Sequence, residues 1–131
     1  MPFPLTEEDL AAAEAALSTR FPESYRQKMM LDNGGEVEAA GDGFELFKVL
    51  DRTDQKRLAR TSANELVREN NAAHAWDAFP PTGVAIGDNG AGDYLLFTRG
   101  GDALRREVSV WDHETGEITQ VADDFADLLD G

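Results

Sequence analysis

Residues 87–97 read GDNGAGDYLLF, and their glycines and acidic side chains are the types that could bind a phosphate or a cation. A phosphate loop needs a helix N-terminus after its glycines, so that several backbone N–H groups point at the anion. Here the apolar run 94–97 follows, which predicts a strand, and the chain contains no Gly-Lys-Ser/Thr sequence. The pattern therefore argues against a phosphate loop.

The same loop could instead bind a cation or form only a turn. Asp88, Asn89 and Asp93 supply three oxygens, but without the alternating spacing and closing glutamate of a calcium loop. A turn fits better, because Gly90 and Gly92 tolerate positive φ and the Asx side chains can bond their own backbone. A turn is the prediction, and an adventitious cation site is the alternative.

The chain has two histidines, His74 and His113, as candidates for acid–base chemistry. His113 lies between Asp112 and Glu114, where it could act as a base or bind a metal, although a histidine in a polar turn is more often an exposed turn residue. No HExxH motif and no distinct Ser-His-Asp order is present, and cysteine is absent. The sequence therefore predicts no catalytic residue, no metal and no cofactor.

Length and composition predict one soluble domain spanning residues 1–131. The 26 acidic and 12 basic side chains give a net charge of −14, which repels phosphate backbones and argues against nucleic-acid binding. No apolar run reaches the roughly 20 residues of a membrane span, and the N-terminus lacks the pattern of a signal peptide, so we expect a cytoplasmic protein. The acidity would attract a basic protein partner, or it could serve solubility alone.

Hydrophobic periodicity and capping residues predict an α+β fold. Helices should flank a central antiparallel sheet of about four to six strands, and a short helix should close the chain. In chain order, the predicted elements are a helix that begins after Thr6, a helix from Pro22 to the stop at 33–35, a loop over 36–43, a strand at 44–50, a helix from Ser62 to Asn71 with Ser62 and Glu65 as a capping box, strands at 84–86, 94–98 and 107–111, a turn at 112–117 into a strand, and a helix containing Phe125.

Several of these segments together resemble the SUKH superfamily, which groups bacterial toxin-immunity proteins with fungal regulators of cell-wall assembly that carry the Smi/Knr-like domain. The resemblance covers nearly the whole chain except about residues 48–80, and Phe21 stands where leucine is usual. It rests on the Thr-Glu-Glu helix start, a Pro-x-x-Tyr-Arg helix that ends in Asn-Gly, an Ile-Gly turn that ends in Gly-Asp, the later Trp-Asp strand and the closing helix. These fall on Thr6, Pro22, Tyr25, Arg26, Asn33, Gly34, Ile86, Gly87, Gly92, Asp93, Trp111, Asp112 and Phe125.

The resemblance implies a non-catalytic, protein-binding domain. Gly87, Gly92 and Asp93 would then form the family's turn, with Asp93 holding it by accepting backbone N–H bonds. An immunity protein that neutralises a basic toxin domain is the first hypothesis, and an intracellular regulator or scaffold with an endogenous partner is the second. Candidate partner-binding residues are the acids of predicted loops and strand ends: Glu36, Glu38, Asp42, Asp88 and Asp112. Trp76 and Trp111 are aromatic candidates, although core packing is the better expectation for Trp111.

Overall fold

A computed structural model describes residues 5–62, 65–76, 78–101 and 103–129. Within these residues the chain forms four α-helices, six strands and a closing 3₁₀ helix. In chain order they are α1 (Glu7–Leu17), α2 (Glu23–Leu31), β1 (Glu36–Ala39), β2 (Asp42–Leu46), α3 (Gln55–Ser62), α4 (Leu66–His74), β3 (Gly83–Asp88), β4 (Tyr94–Thr98), β5 (Val108–Trp111), β6 (Ile118–Ala122) and the 3₁₀ helix (Phe125–Leu128).

The two N-terminal helices begin and end as their capping residues predict. The Thr6 hydroxyl accepts the Asp9 backbone N–H at 3.2 Å, which satisfies one of the donors left free at the start of α1. Pro22 stands just before α2 rather than inside its first turn, and the buried side chains of Tyr25 and Met29 turn this helix toward the core. Gly34, with φ of +112°, lets the chain leave α2 toward the sheet.

The sheet is an antiparallel meander in the order β1-β2-β3-β4-β5-β6, so the predicted fold class is confirmed. The predicted loop over 36–43 is wrong, because these residues form β1, a tight turn and the start of β2. Ala40 and Gly41 both have positive φ in that turn, and alanine is an unusual residue there, so the hairpin signal was weak.

The predicted capping box at Ser62 is also wrong. Ser62 is the last residue of α3, and its hydroxyl donates to the Ala59 carbonyl. Helix α4 begins later, with Glu65 as the capping residue that accepts the Val67 N–H. One face of α4 is buried, because Leu66 and the residues one and two turns after it pack against β3.

Two buried asparagine side chains bond the backbone of segments that are distant in sequence. The Asn70 amide accepts the Ala85 N–H and donates to the Ala85 carbonyl, both at 2.8 Å, where the β3–β4 register shifts. Asn33 pairs in the same two-way manner with Val49, at 2.9 and 2.8 Å. Each amide thereby satisfies buried backbone groups that the sheet leaves without partners.

Aromatic side chains fill both faces of the sheet. Tyr94 and Phe97 lie three residues apart in β4, so their side chains point to opposite faces. Phe97 packs with Phe21, which precedes α2, with Tyr25 of α2 and with Phe125 of the 3₁₀ helix. Tyr94 packs with Phe47, Phe79 and Trp111.

Candidate functional site at the acidic end of the sheet

The three hairpin turns of the meander meet at one end of the sheet. In an antiparallel meander the first, third and fifth connections share an end, and here these are residues 40–41, 89–93 and 112–117. The glycine-bearing turn at 89–93 is therefore the middle of three neighbouring turns.

Asn89 organises the middle turn. Its side-chain oxygen accepts the backbone N–H groups of Ala91 at 2.9 Å and Asp93 at 3.2 Å. Gly90 and Gly92 have φ of +80° and +107°, which other residues rarely adopt. Two loop N–H groups are thus directed at Asn89, and a strand follows, which agrees with a turn rather than a phosphate loop.

A chain of polar contacts joins all three turns. The Asn89 side-chain N–H₂ donates to Asp42 at 3.0 Å and to Asp93 at 3.1 Å. The other oxygen of Asp93 accepts the backbone N–H of His113 at 3.1 Å and lies 2.6 Å from His113 Nδ1. Asp93 therefore bonds its own turn through the Asn89 side chain, rather than through the backbone N–H groups that the resemblance implied, and it bonds the next turn through His113.

Two glycines leave space that a side chain would fill. A Cβ at Gly92 would lie 3.1 Å from the His113 ring, and one at Gly87 would lie 2.6 Å from the Glu45 carbonyl oxygen. The absence of a side chain at Gly92 leaves room for the His113 imidazole beside Asp93, and its absence at Gly87 lets β2 and β3 lie close together. Both positions therefore depend on glycine for contact as well as for conformation.

The Asp93–His113 pair shifts the pKa of both groups. Burial raises the pKa of Asp93, but the hydrogen bonds from His113 and Asn89 and the His113 charge outweigh it, so the net pKa is lowered. The hydrogen bond to Asp93 is the main cause that raises the pKa of His113, and the charges of Asp93, Glu114 and Asp112 add to it. Both shifts favour the ion pair over the neutral forms.

Asp93, Asp112 and His113 are the described residues that could hold a cation, since their ligand atoms lie within 4.8 Å of one another. Three of their four carboxylate oxygens already accept hydrogen bonds. One Asp112 oxygen accepts the backbone N–H groups of Glu114 and Thr115, and Asp93 accepts from His113 and Asn89. A cation would have to compete with these bonds at three of the four oxygens, so the arrangement fits a polar clamp between turns better than a metal centre.

A second group of acids lies on one face of the sheet next to these turns. Glu36 pairs with Glu45, and Glu45 pairs with Asp88, so three carboxylates stand side by side across β1, β2 and β3. Glu38 shares the face, because it lies two residues after Glu36. Burial is the main cause that raises the pKa of Asp88; the Gly90 N–H opposes it, and the Glu45 charge adds to it.

The five candidate partner residues thus fall into two neighbouring groups. Glu36, Glu38 and Asp88 share the sheet face, whereas Asp42 and Asp112 lie at the turns. Sequence reasoning found Asn89 as a turn residue but missed its contact with Asp42, and it missed Glu45. The position of Glu45 depends on strand register.

The structure also gives the burial of the two tryptophans and the contacts of His74. Trp111 is fully buried, which confirms core packing, whereas Trp76 is 46% exposed. His74 Nε2 lies 2.8 Å from the Gly83 carbonyl, and its ring packs on Phe79.

No helix among the described residues is both long and apolar enough to cross a bilayer.

Comparison with known proteins identifies the family. A model described as SMI1 / KNR4 family (SUKH-1) matches residues 4–131. The chain belongs to the SMI1/KNR4 family. The match includes residues 48–80, which carried no recognisable resemblance by inspection. No curated protein matches the chain. Membership is compatible with a toxin-immunity or a regulatory role, and it agrees with a domain that binds another protein.

Proposed function

We propose that this SMI1/KNR4 domain is a non-catalytic immunity protein that binds and neutralises a basic toxin domain. The supporting observation is the double acidic surface, with Glu36, Glu38 and Asp88 on the sheet face and Asp42 and Asp112 at the adjoining turns. Such a surface attracts and orients a basic partner, and it mimics the charge of a nuclease's substrate.

The distribution of ion pairs supports this assignment. Arg26 pairs with Glu7 and Glu14, Arg52 with Asp9, and Arg57 with Asp51. In the described part of the chain, none of the ion pairs includes Glu36, Glu38 or Asp88. Basic side chains therefore stabilise the helical side of the molecule and leave the charge of these three acids for a partner.

The test is co-expression with the C-terminal domain of a secreted protein encoded beside this chain. We expect a 1:1 complex by size-exclusion chromatography with light scattering, protection of cells from growth arrest, and weaker binding as salt rises. Glu36→Gln/Glu38→Gln should weaken the complex at least fivefold. Glu8→Gln/Glu23→Gln, which removes equal charge from exposed positions on α1 and α2, should change it less than twofold.

Absence of a complex, or equal effects of the two double variants, would contradict the proposal. Recovery of a housekeeping protein from lysate, with no toxin bound, would instead support the regulatory hypothesis.

A further inference from the structure

A single row of side chains crosses all six strands. Its register runs from Glu36 to Glu45, Asp88, Tyr94, Trp111 and Ile118, each opposite the next. Directly opposed side chains of antiparallel strands share one face, so the row places three acids beside two aromatic rings and an isoleucine. Five gaps of about 4.8 Å give a span of roughly 24 Å, which an extended segment of about seven residues crosses.

At the apolar end of the row Trp111 is buried beneath Phe79 and Trp76, and the exposed apolar surface is that of Ile118 and the covering Trp76. Trp76 and Ile118 are each 46% exposed, and both lie next to the buried Trp111. The Trp76 ring meets the Trp111 ring edge-on at 5.9 Å, while Tyr94 stacks on Trp111 at the same centroid distance. The exposed indole is therefore held in place by packing beneath it, which keeps the entropy cost of using it as a contact low.

The acidic end of the row adjoins these rings directly. Asp88 stands opposite Tyr94, whose pKa is raised first by burial and then by the charges of Glu69 and Asp88. The carboxylate of Glu36 leans over Gly43, where a Cβ would lie 3.4 Å from it. Negative charge and exposed aromatic surface thus lie side by side on one face.

We propose that this row is the docking surface for an extended, arginine-bearing segment of the protein partner. Guanidinium groups pair with Glu36 and Asp88, and Trp76 and Ile118 anchor the apolar end. The proposal rests on the proposed function and adds the binding face and the chemistry of the segment. Arginine fits better than lysine because its planar guanidinium both pairs with carboxylates and stacks on aromatic rings.

Charge separates this face from another exposed apolar surface. Leu31 and Leu129, 78% and 42% exposed, line a groove between α2 and the 3₁₀ helix. The charged groups of that groove, Lys28 and Asp32, lie 3.6 Å apart and neutralise each other. A strongly basic partner is therefore attracted to the row and not to the groove.

The first experiment measures the affinity of the toxin domain for matched variants. Trp76→Ala and Ile118→Ala should each weaken binding at least tenfold, as central apolar contacts of interfaces do. Leu31→Ala and Leu129→Ala, which also remove exposed apolar surface but in the groove, should change it less than twofold. Trp76→Phe keeps an aromatic ring and should restore most of the affinity, which separates lost contact from misfolding.

The second experiment needs no toxin. The probe is a seven-residue peptide in which three arginines alternate with glycines and a leucine stands at one end, titrated into ¹⁵N-labelled protein. The indole signals of the two tryptophans are assigned with Trp76→Phe, since the chain has only these two. We expect shifts at Trp76, Asp88 and Ile118, a several-fold weaker effect of the lysine peptide, and loss of binding when citrulline replaces arginine.

The outcomes separate the two proposals. If the toxin binds but Trp76→Ala and Ile118→Ala bind it as well as wild type does, this face is wrong and the immunity function stands. If no toxin binds but the peptide shifts the row, the immunity function is wrong and the face stands. Peptide shifts confined to other surfaces, or equal binding of the citrulline peptide, would overturn the docking surface.

Discussion

Substitution of Gly87 by alanine should destabilise the fold through one backbone clash. The new Cβ would lie 2.6 Å from the Glu45 carbonyl oxygen, with the Leu46 Cα at 3.3 Å. Carbon–oxygen contacts between strands are ordinarily about 3.3 Å or longer, so the two strands must separate by about 0.7 Å. Both neighbours are backbone atoms, and no side-chain rotation relieves the contact.

The clash lies between β2 and β3, which are paired over a short length. Strands β2 and β3 pair through Glu45 with Asp88 and Leu46 with Gly87, and the Phe47 N–H donates to the Ile86 carbonyl beside them. The clash therefore falls in the short ladder that joins the β1–β2 hairpin to β3. Overpacking of this kind costs about 1–3 kcal/mol, and the lower entropy of the unfolded alanine chain offsets about 0.4–1 kcal/mol. The net loss in the free energy of unfolding should be about 1–2 kcal/mol, or roughly 4–8 °C in Tm.

Urea denaturation and calorimetry of Gly87→Ala and Gly43→Ala give the measurement and its control. Gly43 is also a strand glycine without positive φ, but a Cβ there would lie 3.4 Å from the mobile carboxylate of Glu36. Its substitution should leave stability within about 0.5 kcal/mol or raise it slightly. Wild-type stability in Gly87→Ala, or an equal loss in both variants, would refute the steric reasoning.

Three further substitutions test the packing and the polar clamp. Asn70→Ala should cost about 2–4 kcal/mol in urea denaturation, because it strips buried hydrogen bonds from Ala85. Tyr25→Phe should leave the free energy of unfolding unchanged or raise it by up to about 1 kcal/mol, because the buried hydroxyl has no hydrogen-bond partner among the described residues. His113→Gln should lower the urea midpoint most between about pH 4 and 6.5. Because the pKa of Asp93 is lowered in the folded state, the stability that Asp93 contributes is lost as pH falls below this window. Because the pKa of His113 is raised, the stability that His113 contributes is lost as pH rises through its folded-state pKa.

Each of these predictions has a result that would contradict it. Asn71→Ala, on the exposed side of α4, should change stability by less than about 0.5 kcal/mol, and an equal loss in both variants would argue against the amide pairing. A loss above about 1 kcal/mol in Tyr25→Phe would indicate that the hydroxyl is bonded. A difference between wild type and His113→Gln that does not vary with pH would exclude the ion pair as its cause.

Sequence reasoning reached the elements whose signals are local. The Thr6 cap, the apolar face of α2 and the strand after the glycine loop each depend on a few neighbouring residues, and each is present. It failed at 36–43 and at Ser62, where a short hairpin and a break between two helices overrode the local pattern. Alanine in a left-handed turn carries almost no sequence signal.

The candidate site could be predicted from the sequence only in part, because some of its contacts are not local. The excess of acidic over basic side chains and the residues of the three turns can be identified from the sequence. The contact of Asp93 with His113 joins residues 20 positions apart, and that of Asn89 with Asp42 joins residues 47 apart. Neither contact follows from spacing, because each needs the meander to bring its turns together.

The sequence by itself determined the charge, the helix starts, the turn at 89–93 and the family to which the chain belongs. Only the tertiary structure decided that Glu36, Glu45 and Asp88 share a row with Tyr94, Trp111 and Ile118. Caps and turns are governed by hydrogen bonds within a few residues. Strand register is governed by turn lengths and bulges along the whole meander, and a shift of one residue would move a strand's acids to the opposite face.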